Sequence, residues 1–399
     1  MKIRTALCVT CALIVGGNQV AANAQPTRPA GPMAEAVRTG LGLTGGEAAE
    51  LFERQSRAGG IAARLPRGGV AGHWLDDGRL KVAVTDQGTA EVVRSLGAEP
   101  ERVRRGREEL EALLRWVEEN ATEAVVSWGI DPTKNAVVAV VDPAAGPGLP
   151  ARDGVEVVEG EPGEFAQGDG GESWDWDDDG VVEVGLKDEQ KVRPGGGWRE
   201  RPFADCTIGF PVRDGTGSGH FLTAAHCMSE EEQRASVHTK NMGWQVVGKS
   251  NPGGHRRVFG EEGDFGLVSV ADESEWDLSL RVETGRGGPE VEVDGHLSPI
   301  QGQAICFAGR VSGWNCGKVT GTDRSGRFGK EKTLLAGLFG TDMCVRKGDS
   351  GGPGISGRKG VGTVVGGNSR CDSGKPDRSY FTPLDRSLEK WGLKLVGAR

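Results

Sequence analysis

The sequence predicts an all-β, two-barrel domain that ends in a helix and is preceded by a small α/β domain. Two observations carry that reading. From about Val192 to Arg399, short β-prone runs alternate with Gly-rich turns, and a helical pattern returns only near Leu384–Trp391. Ahead of them an amphipathic helical stretch precedes two β-rich runs, so the hydrophobic period changes along the chain. At 399 residues the chain is too long for one ordinary domain and suits two.

Lys2 and Arg4 precede a largely apolar run from Ala6 to Val15, and Ala22-Asn23-Ala24 follows before Gln25. A basic start, a short apolar core and small residues at the end predict a secretory signal over residues 1–24. The protein is therefore expected to be secreted and extracellular. The apolar run is too short to span a bilayer and no other run is long enough, so no membrane partner is expected. Residues 25–46 are polar and rich in Ala, Gly and Pro, and are expected to be poorly ordered.

Residues 47–142 read as the α/β domain. Leu80–Thr85 alternates as a strand does. Glu101–Glu119 puts Val103, Leu110, Leu113, Leu114 and Val117 on one helical face, with Gly106 as a local weakness. Val125–Ile130 and Ala136–Val141 flank Asp131-Pro132-Thr133-Lys134-Asn135 and read as a hairpin.

Residues 143–191 read as an acidic linker rich in Gly and Pro. Within it Asp175, Asp177 and Asp179 followed by Gly180 match the first half of a calcium loop. Leu186 stands where the bidentate Glu of such a loop belongs, so a plain solvated linker is the competing reading. No other cofactor or metal is expected. From Val192 onward there are 28 basic and 25 acidic residues, while the first 191 hold 20 and 32. An acidic front half argues against nucleic acid as a partner and could attract the mildly basic back half.

Cys8 and Cys11 leave with the signal. Cys206, Cys227, Cys306, Cys316, Cys344 and Cys371 remain, an even number in an oxidising compartment, which predicts disulfides. The pairing is open at this level. A metal site is disfavoured, because the only Cys-x-x-Cys spacing is Cys8 to Cys11.

Gly348-Asp349-Ser350-Gly351-Gly352-Pro353, with Thr223-Ala224-Ala225-His226-Cys227 upstream and Gly263-Asp264-Phe265 between them, carries the chemistry. A serine hydroxyl is a poor nucleophile at neutral pH unless an imidazole takes its proton. The imidazole in turn needs a carboxylate to fix its tautomer and to stabilise its charged form. His226, Asp264 and Ser350 are the candidate catalytic residues. Glycines around Ser350 leave backbone N–H groups free to approach an oxyanion.

These motifs, with Cys206-Thr207-Ile208-Gly209-Phe210, Gly219-His220-Phe221-Leu222 and Gly313-Trp314-Asn315-Cys316-Gly317, resemble the chymotrypsin-like serine proteases. They look most like the bacterial branch that holds the streptogrisins and α-lytic protease. The resemblance covers about Cys206 to Val396, and residues 192–399 are the protease domain it implies. It implies an acyl-enzyme mechanism and the pairs Cys206–Cys227, Cys306–Cys316 and Cys344–Cys371. It places the oxyanion hole at the N–H groups of Gly348 and Ser350. Val345 and Val364 fall at the specificity pocket, and Gly366 and Gly367 on the strand that pairs with substrate. Two valines narrow a pocket and leave it apolar, which favours small to medium apolar P1 residues; a carboxylate such as Asp377 at its base would invert that preference. The helix and hairpin of residues 47–142 resemble an α-lytic-type propeptide, which implies an intramolecular chaperone and inhibitor. An accessory domain that stays attached is the alternative. The mature chain is expected to begin between about Asp188 and Gly196, to act on protein or peptide substrates, and to be a monomer.

Two departures stand out. The arginine that commonly faces the aspartate before the nucleophile is replaced by Phe307, with Arg310 as a candidate substitute. Val365 replaces the serine that donates to the triad aspartate. A catalytically silent binding protein on a protease fold is the competing class.

Overall fold

The structure, a computed structural model, describes residues 37–38, 40–160, 164–165, 191–200, 205–239, 242–284, 290–329, 331–367, 371 and 378–397. The expected signal segment, the calcium-loop candidates Asp175, Asp177 and Asp179, and Asp377 lie outside them.

Thr44 opens a helix, α1 (Gly45–Ala62), through a capping box with Glu47. Strands β1 (Val70–Asp76) and β2 (Arg79–Val84) form an antiparallel pair. Helix α2 (Gln87–Ser95) starts at Asp86, whose side chain accepts from the Thr89 N–H. Strand β3 (Glu99–Arg102) then runs parallel to β2. The helix expected from Glu101 therefore begins later, as α3 (Arg107–Asn120), with Gly106 as its extended N-cap. Pairing with β2 holds Glu101 and Arg102 extended, and Gly106 marks the entry to the helix rather than a weakness within it. Leu110 and Val117 are fully buried on its inner face. Each contributes about 1.5–3 kcal/mol by leaving water.

The hairpin is β4 (Val125–Asp131) and β5 (Ala136–Val141), paired antiparallel as expected. Two stretches differ from expectation. Val37 is 2 % exposed, and Leu41 and Leu43 pack against the cluster that holds Trp314 and Cys316, so the end of the segment expected to be poorly ordered is packed. Gly40 permits this, since a Cβ there would lie 2.0 Å from the Cys316 carbonyl oxygen. The expected linker also folds in part: β6 (Val155–Glu159) adds to β5 in parallel, and β7 (Glu164–Phe165) pairs antiparallel with Gly366 and Gly367. The β-branched run Val155, Val157, Val158 favours a strand where composition alone reads as linker.

The protease domain is all β with one C-terminal helix, Leu384–Trp391, in line with the predicted class. In the first barrel the strands follow the order 205–207, 197–200, 233–239, 243–250, 263–269, 219–223 and 211–213. The chain's last strand, Lys394–Leu395, pairs with Val212 and Arg213 on that barrel's edge. In the second the order is 304–309, 353–356, 359–367, 379–383, 333–341 and 313–328, and pairing of 313–328 with 304–309 closes the ring. Lys191–Val192 is already part of this domain, parallel to Asp277–Leu278.

The front domain continues the second barrel's sheet. Ser127 and Trp128 of β4 pair with Gly326 and Ser325. Around that seam Tyr380 Oη donates to Ser127 Oγ (3.0 Å), Gln301 Nε2 to Asp131 Oδ1 (3.0 Å) and the Leu75 N–H to the Gln301 carbonyl (2.7 Å). Arg107 and Asp323 face each other across it at 3.8 Å.

Candidate active site

The two barrels bring the three candidate residues to one seam. His226 sits on a 3₁₀ turn (Ala225–Cys227) directly after the first-barrel strand Gly219–Thr223. Asp264 is the second residue of the neighbouring strand Gly263–Ser269. Ser350 lies in the turn that enters the second-barrel strand Pro353–Ser356. All three are buried.

Asp264 Oδ2 lies 2.5 Å from His226 Nδ1, and its Oδ1 accepts from the His226 backbone N–H at 3.0 Å. A carboxylate facing Nδ1 puts the proton on that nitrogen and leaves Nε2 as an acceptor. His226 Nε2 is 2.8 Å from Ser350 Oγ, so the imidazole is aimed at the serine proton. The Ser350 hydroxyl also lies 3.2 Å from the Val365 carbonyl oxygen. The Val365 side chain packs with Phe328, Leu335 and Leu338, and the hydroxyl of Thr382 bonds the backbone of Asp264.

The turn before Ser350 is held by its backbone. Gly348 has φ +102° and Gly351 φ +85°, conformations that a side chain resists. Thr207 ties the turn to the first barrel: its hydroxyl donates to the Gly348 carbonyl (2.7 Å) and its N–H to the Ser350 carbonyl (2.8 Å). The N–H groups of Gly348 and Ser350 have no hydrogen-bond partner among the described residues.

Asp349 is fully buried. Its Oδ1 accepts from the N–H groups of Val311 and Ser312, both at 3.0 Å, and its Oδ2 from Ser312 Oγ (2.5 Å) and the Arg346 N–H (2.8 Å). Burial pushes this carboxyl above its ordinary range, and those donors pull it back. Arg310 is close enough to act on Asp349 through its charge, but its ion pair is with Asp205 at 3.3 Å. Burial holds that guanidinium down at about 10. Phe307 is edge-on to Phe381 at 6.0 Å, in an apolar cluster with Val345 and Val364. Sequence reasoning missed Ser312, Thr207 and Thr382, which act through long-range contacts.

Cys206–Cys227, Cys306–Cys316 and Cys344–Cys371 are joined as disulfides. Among the described residues one cluster has metal-ligand character, Cys206, His226 and Cys227, and its sulfurs are spent in the first of those bonds. No helix among the described residues is long and apolar enough to cross a membrane.

The fold is chymotrypsin-like, and the matches that follow make the chain a serine endopeptidase, a hydrolase. Residues 216–391 match the trypsin family, and residues 46–103 match the alpha-lytic protease pro N-terminal family. The chain is 27% identical to streptogrisin-C of Streptomyces griseus over 417 residues, covering 98% of this chain and 82% of that protein. With streptogrisin-D of the same organism it is 28% identical, covering 85% of this chain and 79% of that one. Among solved structures, Thermobifida fusca protease A is 28% identical over 52% of this chain and 98% of its own, with a TM-score of 0.43. The chain thus carries a trypsin-family domain preceded by an α-lytic-type propeptide domain, and it is similar to the streptogrisin type of bacterial serine proteases.

Proposed function

We propose that Ser350, His226 and Asp264 are the catalytic residues of a secreted protease made as a zymogen. The observation that carries this reading is the unbroken line from Asp264 Oδ2 through His226 to Ser350 Oγ, with each contact at hydrogen-bond distance. Ser350 Oγ attacks the scissile carbonyl while His226 Nε2 takes its proton. Asp264 holds the Nδ1 tautomer and stabilises the imidazolium. The N–H groups of Gly348 and Ser350 receive the oxyanion, a contribution of a few kcal/mol. His226 then protonates the leaving amine, and water clears the acyl-enzyme.

Substrate lies as an extra strand on Gly366 and Gly367, and P1 enters an apolar pocket narrowed by Val345 and Val364. Burying an unpaired Lys or Arg there costs several kcal/mol, whereas preference among small apolar residues is graded at about 1–3 kcal/mol per methylene. The domain of residues 47–142 serves as chaperone and inhibitor, suiting a β-rich, non-local topology that folds slowly alone.

Fluorophosphonate labelling of the processed enzyme tests the mechanism. Wild type is labelled at Ser350 and Ser350→Ala is not; an unlabelled wild type makes the chain a silent binding protein. Matched tetrapeptides ending in Ala, Leu, Phe, Glu and Arg test the pocket through kcat/KM, and a preference for Arg overturns it.

A further inference from the structure

One hairpin holds His226 by its ring, by its N–H and by the carbonyls on either side of it. The strands Arg257–Gly260 and Gly263–Ser269 pair antiparallel, with Phe259 opposite Asp264 and Arg257 opposite Gly266. Asp264, on the second strand, takes the imidazole Nδ1 and the His226 backbone N–H. Arg257, on the first, holds the same turn by its carbonyls. Its Nε–H is shared between the carbonyl oxygens of Ala225 and Met228, each at 3.2 Å, a three-centre bond of ordinary kind. The turn that carries His226 is a single 3₁₀ turn, Ala225–Cys227, and such turns have weak hydrogen-bond geometry of their own. Gly266 lets it sit close to the hairpin, since a Cβ there would lie 2.6 Å from both Sδ and Cε of Met228.

The guanidinium has a second tie. It lies over the Phe259 ring, 5.0 Å from its centroid, and Phe259 packs against the second-barrel cluster of Phe328, Leu335, Leu338 and Val365. Val365 is the residue whose carbonyl oxygen lies 3.2 Å from Ser350 Oγ. Arg257 therefore stands between the turn that bears His226 and the packing behind the nucleophile. Its ion pair with Glu230 is long, 3.8 Å, and that carboxylate is highly exposed, so it contributes little.

We propose that Arg257 is a positioning residue for His226. The proposal rests on the serine protease reading above and adds a residue to that site. Arg257 touches neither substrate nor a reacting atom. Its bonds to Ala225 and Met228 fix the pitch of the turn, so that Nε2 keeps its 2.8 Å contact with Ser350 Oγ while the proton crosses and returns. A guanidinium suits the place because it keeps its charge and its planar donors through every step.

The test compares the processed wild type with Arg257→Met, which keeps the length and removes the donors, with Arg257→Lys, whose ammonium can donate to both carbonyls, and with Glu230→Gln. Each is normalised to the serine labelled to completion by a fluorophosphonate, and kcat and KM are read on one tetrapeptide. In Arg257→Met, kcat should fall about ten- to a hundredfold while KM stays within about twofold. Arg257→Lys should return to within about fivefold of wild type, and Glu230→Gln should match it. The low-field proton resonance of the contact between His226 Nδ1 and Asp264 should move or broaden in Arg257→Met and return in Arg257→Lys. Reading that resonance in full-length Ser350→Ala precursor, with and without Arg257→Met, needs no processing and decides the matter where Arg257→Met gives too little mature enzyme. An unchanged kcat or an unmoved resonance overturns the assignment. So does an equal loss in Arg257→Met and Arg257→Lys, which would make Arg257 a packing residue, or a loss confined to KM, which would make it a substrate contact. Wild type that takes no label would overturn the protease reading instead, and the resonance would still judge Arg257.

Discussion

Ser312 Oγ donates to Asp349 Oδ2 at 2.5 Å, and Asp349 is the residue directly before Ser350. The usual arginine is thus answered by a neutral hydroxyl and three backbone N–H groups. Removing one donor from a buried carboxylate costs roughly 1–3 kcal/mol. Ser312→Ala should lower kcat/KM by about ten- to a hundredfold, with KM less affected than kcat. Ser312→Thr, which keeps the hydroxyl, should recover much of the loss. Steady-state kinetics on one peptide substrate decides it; equal losses in both variants would point to packing instead.

Restoring the arginine should fail. Phe307 is fully buried, and Asp349 already has four donors, so Phe307→Arg would place a second buried cation near Arg310. The expected outcome is a loss of at least about 3 kcal/mol in stability with no gain in kcat/KM. Denaturant unfolding of the mature enzyme, alongside its kinetics, measures both.

Gly129 lets the front domain approach the protease. A Cβ there would lie 2.6 Å from Arg324 Cδ and 3.1 Å from the Asp323 carbonyl oxygen. Gly129→Ala should therefore reduce the yield of active enzyme when full-length precursor is refolded, by about tenfold or more for each 1.4 kcal/mol of lost docking. Under the proposed processing, which removes residue 129 with the propeptide, the mature enzyme that does form should have wild-type kcat/KM.

His73, on β1, supplies a pH dependence. Burial holds its imidazole below the ordinary value; Asp323 opposes this, and Arg107 reinforces it by less. The unfolded chain then binds the extra proton more readily. The stabilisation is full above the ordinary histidine value near 6.5 and is lost as pH falls from there toward the folded value. Thermal melts of Ser350→Ala precursor should show Tm falling between about pH 7 and 5, with a shallower fall in the double variant carrying His73→Gln.

Much of this was legible because it is local. Short motifs around His226, Asp264 and Ser350 name their chemistry through residue type and order, and the hairpin of β4 and β5 is written in β-branched runs around a turn. The helix start was misread because Glu101 and Arg102 fit a helical face as well as a strand, and only pairing with β2 decides between them. Ser312 was invisible for another reason. A serine 37 residues before its partner carries no periodic signal, and its role exists only once the second barrel closes. Val155–Glu159 hid behind the composition of its neighbours, and Glu164–Phe165 forms a strand only because the distant glycine edge at Gly366 and Gly367 offers one.

The strand Lys394–Leu395 belongs to the first barrel although nearly all of the second lies between it and its partners, and the Val396 N–H closes the same seam onto the Pro211 carbonyl at 3.2 Å. For a chain that emerges from its N-terminus, the barrel carrying His226 and Asp264 therefore cannot be completed until residues 394–396 have arrived, after the whole of the second barrel. Truncation ahead of Lys394 would leave an open sheet edge beside Pro211–Arg213, a ready template for another chain. A premature stop near the end should thus be read out as aggregation rather than as a slightly slower enzyme.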